Sequence, residues 1–136
     1  MKVFVDTNIF IDILLDRENF SKNAVLIYKL CENNMLDGYV APITINNIYY
    51  ICRKAKHIDD IKEYLADIAN IFTVAIMDSN SVRKANKYNI NDYEDALQYA
   101  IAIQSNCEIL ITRNTKDFKQ LSKIKVLTPE DFLALL

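Results

Sequence analysis

Glycine occurs once and proline twice in the 136 residues; tryptophan is absent and histidine occurs once. So little glycine argues against an all-β sandwich with its turn glycines, and leaves no glycine-rich loop to cradle a phosphate. It favours many helices and short connections. The one histidine, His57, lies between Lys54 and Asp59 with no evident partner, and reads as a solvated loop residue. Histidine-based general-base catalysis and a Ser–His–Asp set are therefore disfavoured. Cys31, Cys52 and Cys107 are too far apart for a zinc pattern or a Cys-x-x-Cys pair. An odd count without a secretory leader points to reduced packing thiols and a cytoplasmic location. Long hydrophobic runs are missing as well. The apolar stretch at Val3–Val5 is too short for a signal peptide or a membrane span, so no membrane association is expected. Nor does one sign of charge dominate: 16 basic against 18 acidic residues give a net charge of −2. A polyanionic substrate would have to be held by a local patch or through metal ions.

What is present is ordinary for a soluble globule: 51% apolar and 25% charged residues. The length suits one domain, residues 1–136, that buries roughly two-thirds of its unfolded surface. Val3–Val5 reads as a buried strand that stops at Asp6-Thr7-Asn8. Thr7 or Asn8 is expected to cap a helix with Ile9, Phe10, Ile13 and Leu14 on one face. A second helix is expected from Phe20 to about Asn34, ended by Asn33, Asn34 and Gly38. Tyr39–Pro42 reads as a strand, and Thr44 as the cap of a helix through Cys52. Asp59 or Asp60 starts the next helix, followed by a strand at Phe72–Ile76. Helices follow at Asp78–Tyr88 and from Asp92 to about Ser105. Ile109–Ile111 and Val126-Leu127 read as strands, and Pro129 opens a last helix through Leu136.

Strands alternating with helices imply crossover connections and an α/β fold with a mainly parallel sheet. Such sheets bind ligands at the carboxyl ends of their strands. That rule singles out Asp6 after the first strand, Asn46 and Asn47 after the second, and Arg113, Asn114 and Asp117 after Ile109–Ile111. Asp92 and Asp95 open the alanine-rich helix three residues apart, on one helical face. Each acid alone is explicable as a cap or a first-turn partner of the helix dipole. Together they form a candidate oxygen-donor site. Hard ions such as Mg²⁺ or Mn²⁺ take oxygen ligands, whereas zinc prefers nitrogen and sulfur. Two such ions can activate a water and stabilise the leaving oxygen of a phosphodiester, and a cation makes clustered carboxylates tolerable.

Val5-Asp6-Thr7-Asn8, Ala41-Pro42-Ile43-Thr44-Ile45-Asn46-Asn47-Ile48-Tyr49-Tyr50, Asp92-Tyr93-Glu94-Asp95-Ala96-Leu97 and Ile111-Thr112-Arg113-Asn114-Thr115-Lys116-Asp117-Phe118, in that order, resemble a PIN domain. The single-domain size resembles bacterial toxin ribonucleases of the VapC type. The resemblance implies a three-layer α/β/α sandwich around a parallel sheet of about five strands, and Mg²⁺- or Mn²⁺-dependent cleavage of RNA. It implies catalytic, metal-holding roles for Asp6, Asp95 and Asp117, with Asp92 as an additional metal acid. Asn8, Asn47, Thr112 and Asn114 take secondary places. Where the family usually has a Glu in the helix after the second strand, this chain has Asn47; the amide can ligate but brings no charge, and Glu94 or Asp92 could compensate. A toxin role further implies RNA as substrate, a cognate antitoxin and a homodimer.

Basic residues expected near the mouth include Arg17, Arg53, Arg113 and Lys116 as phosphate contacts, with Tyr49, Tyr50 or Tyr93 available for base stacking. Two other readings fit the residues. One is a PIN-like RNA- or protein-binding module with weakened catalysis. The other is a phosphatase of the haloacid dehalogenase type, which also places an Asp after its first strand but wants a second acid where Asn8 stands.

Overall fold

The computed structural model describes all residues, 1–136. Five strands are present: β1 (Lys2–Val5), β2 (Asp37–Val40), β3 (Thr73–Val74), β4 (Ile109–Ile111) and β5 (Lys125–Leu127). They form one all-parallel sheet in the order β3-β2-β1-β4-β5. Seven α-helices accompany them, the last following β5: α1 (Thr7–Leu14), α2 (Ser21–Glu32), α3 (Pro42–Cys52), α4 (Ile58–Ile71), α5 (Ser79–Ala85), α6 (Tyr93–Gln104) and α7 (Pro129–Ala134). A 3₁₀ turn, Thr115–Phe118, lies between β4 and β5.

The pleat sorts the strand side chains into two cores. Val3, Val5, Val40, Ile109 and Ile111 pack with Ile9, Ile27, Ile48, Ile61 and Phe132 of the helices on one face. Phe4 and Leu110 point the other way, onto Tyr99 and Ile101 of α6 and Phe118 of the 3₁₀ turn. The result is the expected α/β/α sandwich. The chain builds outward from β1 through β2 to β3, then returns to place β4 on the other side of β1. The carboxyl end of β1 is therefore a topological switch point, where parallel sheets open a crevice.

Several boundaries differ from those expected. Asp6, not Thr7 or Asn8, occupies the N-cap position of α1, and its side chain makes no capping bond. Thr44 lies inside α3, buried and bonded to Thr7, while Pro42 opens that helix instead of ending a strand. His57, not Asp59 or Asp60, caps α4, its ring accepting from the Asp59 N–H. β3 is only two residues long, and α7 ends at Ala134. Asp117 lies within the 3₁₀ turn.

Gly38 belongs to β2 and does not end α2. A Cβ built there would meet Phe72 Cδ2 at 2.5 Å and Cys31 Sγ at 2.8 Å, so glycine is needed for close packing. The left-handed positions fall instead to Asn19, Asn34, Asn106 and Asp16, all at positive φ. Asn and Asp tolerate that region best after glycine, which is how one glycine suffices.

Candidate metal centre

Asp6 follows β1 directly and is 2% exposed. Its amide continues the β1–β4 ladder by donating to the Ile111 carbonyl at 3.0 Å, which fixes the residue at the switch point. Both carboxylate oxygens are held: Gln98 Nε2 of α6 donates to Oδ1 at 2.7 Å, and Thr112 Oγ1 donates to Oδ2 at 2.8 Å. Burial nevertheless raises the proton affinity of Asp6, outweighing those two bonds. Gln98 is itself buried, and its Oε1 has no partner. An orphaned buried acceptor beside a caged carboxylate calls for a donor the chain does not supply.

Asp92 caps α6 by accepting from the Asp95 N–H at 3.0 Å. That bond sets the first helical turn so that Glu94 and Asp95 face the end of β1. Oxygens of Asp6, Glu94 and Asp95 lie within 4.8 Å of one another. Asp95 is 6% exposed and its pKa is pushed up to about 8, first by burial, then by Asp6, Asp92 and Asp117. Glu94 is shifted upward by burial, opposed by hydrogen bonds from Asn47 and Thr7. Three carboxyls that cannot all ionise comfortably, with oxygen donors only, match what a hard dication requires. The residues present therefore fit Mg²⁺ or Mn²⁺.

Asp117 lies near the same cluster, its carboxylate adding to the upward push on Asp95. Packing explains how. Phe118 is buried and stacks on Tyr99 of α6 with centroids 5.8 Å apart, which draws the 3₁₀ turn onto the helix. Thr112 Oγ1 also accepts from the Asn114 N–H, and the Asn114 amide donates to Asp117. Asp6, Asp95, Asp117 and Asp92 are thus brought together, with Thr112 and Asn114 supporting them. Asn8, half-buried in the first turn of α1, has no side-chain hydrogen bond to the cluster.

The sequence offers Glu94 only as a compensating charge, yet it is one of the three carboxylates of the cluster. Adjacent helix positions point about 100° apart, so the pattern favoured Asp92 and Asp95 on one face over Glu94. The uncharged Asn47 in α3 was the available signal, since its Nδ2 donates to Glu94 Oε2.

The basic residues divide. Arg113 forms a bidentate pair with fully buried Asp12, at 2.7 and 3.1 Å, and stacks over Phe20. Arg17 also pairs with Asp12, at 3.3 Å. Both guanidinium groups are thus engaged with Asp12 while staying partly exposed, Arg113 at 27% and Arg17 at 38%. Arg53 is exposed, stacked on the Tyr50 ring and bonded to the Tyr50 carbonyl. Lys116 lines a polar cavity of about 280 Å³ together with Asp117, Lys119, Asn89, Asn91 and Gln120.

Comparison with known proteins bears on the same features. A family model described as the PIN domain matches residues 2–116. Ribonuclease VapC1 of Aquifex aeolicus (strain VF5) is 32% identical over 139 residues, spanning 96% of this chain and 92% of the relative. Among solved structures, VapBC-1 from nontypeable Haemophilus influenzae superposes with a TM-score of 0.71 at 17% identity, covering 96% of this chain and 99% of the other. VapBC2 from Rickettsia felis, bound to a DNA fragment from their promoter, gives 0.70 at 18% identity, covering 94% and 98%. At those identities the structural likeness is one of fold.

Proposed function

The chain belongs to the PIN domain family, and from that premise we propose that it is a Mg²⁺- or Mn²⁺-dependent endoribonuclease of the VapC type, the toxin of a toxin–antitoxin pair. The convergence of Asp6, Glu94 and Asp95 at the carboxyl end of β1 carries this reading, because it builds an oxygen-only cation site on a ribonuclease-like chain. Asp117 and Asp92 complete the negative mouth.

Asp6, Glu94 and Asp95 would hold the ion, and Asp117, close to Asp95, would add negative charge. A divalent cation supplies charge stabilisation on a phosphate oxygen and activation of a water for attack. The chain's part is orientation. Gln98 and Thr112 lock Asp6, Asp92 sets the turn that presents Asp95, and the Tyr99–Phe118 stack brings Asp117 in. Preset ligands lower the reorganisation needed when charge develops. Lys116, in the cavity that Asp117 borders, is suited to hold a neighbouring phosphate of single-stranded RNA. A cognate antitoxin and a homodimer belong to the same reading. Action in the cytoplasm is part of the same proposal; no helix is long and apolar enough to cross a membrane.

The phosphatase alternative would use Asp6 as a nucleophile. That chemistry wants a second acid two residues on, where this chain has Asn8. Cleavage of a labelled RNA in Mn²⁺ tests the proposal. Wild type is expected to cut and Asp6→Asn to lose at least ~100-fold in rate. Equal cleavage by the two, with contaminants excluded, rejects the assignment. Metal and RNA binding without cleavage by wild type would favour a binding module.

A further inference from the structure

α3 and α6 meet at one carboxylate. Asn47 Nδ2 and Thr7 Oγ1 both donate to Glu94 Oε2, the latter at 3.2 Å. The Thr7 hydroxyl, having given its only proton to Glu94, accepts from Thr44 Oγ1 at 2.7 Å. Thr7 and Thr44 are buried, so the chain Thr44–Thr7–Glu94 starts inside the fold and ends on a half-buried carboxylate. Glu94 Oε1 takes no hydrogen bond from the protein. One oxygen of Glu94 is thus tied to α1 and α3 while the other takes no protein hydrogen bond, and the carboxylate lies within 4.8 Å of those of Asp6 and Asp95. On the far side of Asp6, the unpartnered Oε1 of Gln98 lacks a donor that the water shell of a bound cation would provide.

Resting on the nuclease reading, we propose that Glu94 is a direct metal ligand, and that Asn47 is its positioning residue. Asn47 supplies no charge. Its amide and the Thr7 hydroxyl select one carboxylate oxygen of Glu94 for the protein and leave the other for the ion. The negative charge that faces the cation from the α3 side is delivered by a side chain that belongs to α6. The touching pair Asn47–Glu94 makes a sharp demand: the charge should be movable between the two positions, because both side chains end at the same place.

Mn²⁺ alone is the probe, titrated by calorimetry and by the loss of the free-ion electron paramagnetic resonance signal. Wild type, Glu94→Gln, Asn47→Ala and the exchange variant Asn47→Glu/Glu94→Gln are compared, each checked by circular dichroism and thermal unfolding. Glu94→Gln is expected to weaken Mn²⁺ binding at least ~10-fold, the range seen when supporting or ligating groups are lost. Asn47→Ala keeps every acid and is expected to weaken it several-fold, with the fold intact. The exchange variant is expected to regain most of the affinity lost by Glu94→Gln. A structural role for Asn47 alone predicts no recovery on moving the charge. Wild-type affinity in Glu94→Gln, or an exchange variant no better than Glu94→Gln, overturns the inference and leaves the nuclease reading standing. A wild-type chain that binds no Mn²⁺ overturns both. Should Glu94→Gln fail to fold, Asn47→Ala decides: unchanged Mn²⁺ affinity there refutes the positioning role.

Discussion

Thr112, at the end of β4, donates its hydroxyl to Asp6, at the end of β1, at 2.8 Å in a fully buried contact. The two residues are 106 positions apart in the chain and neighbours across one parallel ladder. This bond couples the integrity of the sheet to the charge state of the proposed metal centre.

Thr112→Val keeps shape and removes that donor. A hydrogen bond to a charged group contributes about 1.5–3 kcal/mol, so a loss in that range is expected in urea unfolding at a pH where Asp6 is ionised. The loss should shrink at acid pH, where a protonated Asp6 no longer needs the bond. A loss independent of pH would assign Thr112 to packing alone.

The pH dependence of stability follows from Asp95, Asp6 and Glu94, all shifted upward chiefly by burial. Asp95 rises from 3.8 to about 8. Across that window the folded chain binds more protons than the unfolded one, so stability falls as pH rises from about 4 to about 8. Metal-free protein should therefore melt lower at about pH 8.5 than at about pH 5. Mn²⁺ should raise the melting temperature more at the higher pH, where protons no longer compete for the carboxylates. Asp95→Asn should flatten the metal-free profile. Differential scanning calorimetry in both buffers gives the comparison.

Asp12 is fully buried between Arg113 and Arg17. The arginines left behind by Asp12→Ala are 27% and 38% exposed and can be solvated, so the change loses charge-assisted hydrogen bonds and is expected to cost about 1.5–3 kcal/mol. Arg17→Ala should cost less, since its side chain is 38% exposed and Arg113 still pairs with Asp12. Arg113→Lys loses the bidentate geometry and should fall between them. Denaturant titration orders the three. If Arg113→Ala were to leave stability unchanged while raising KM for RNA, the guanidinium would be a substrate contact after all.

Gly38→Ala is expected to destabilise by about 1–3 kcal/mol, the usual cost of overpacking. The new methyl would meet the Phe72 ring, which is held edge-on to Phe10, and Cys31 behind it. The partner change Cys31→Ala in the same chain should recover part of the loss, a non-additivity that a double-mutant cycle measures.

Where the sequence reading succeeded, the signal was local. Ile109–Ile111 is an unbroken apolar β-branched and aliphatic run and forms β4 with those bounds. Asp78 and Asp92 cap α5 and α6 as their positions before helical periodicity suggest. Where it missed, a partner distant in sequence was decisive. Thr44 has the chemistry of a cap but spends its hydroxyl on Thr7. Gly38 has the look of a helix stop but is required by Phe72 and Cys31. The local pattern around Arg113 gave no sign of its pair with Asp12, 101 positions away.

The sequence by itself determined the class of fold, the oxygen-only donor set and the strand ends that carry it, because hydrophobic periodicity and residue chemistry are written along the chain. Only the tertiary structure decided which carboxylates share one space. Glu94 joins Asp6 and Asp95 because α3 and α6 approach the end of β1 from two sides, and Asn47 and Thr7 bind one of its oxygens there. Such convergence depends on packing between elements far apart in sequence, which no local pattern encodes.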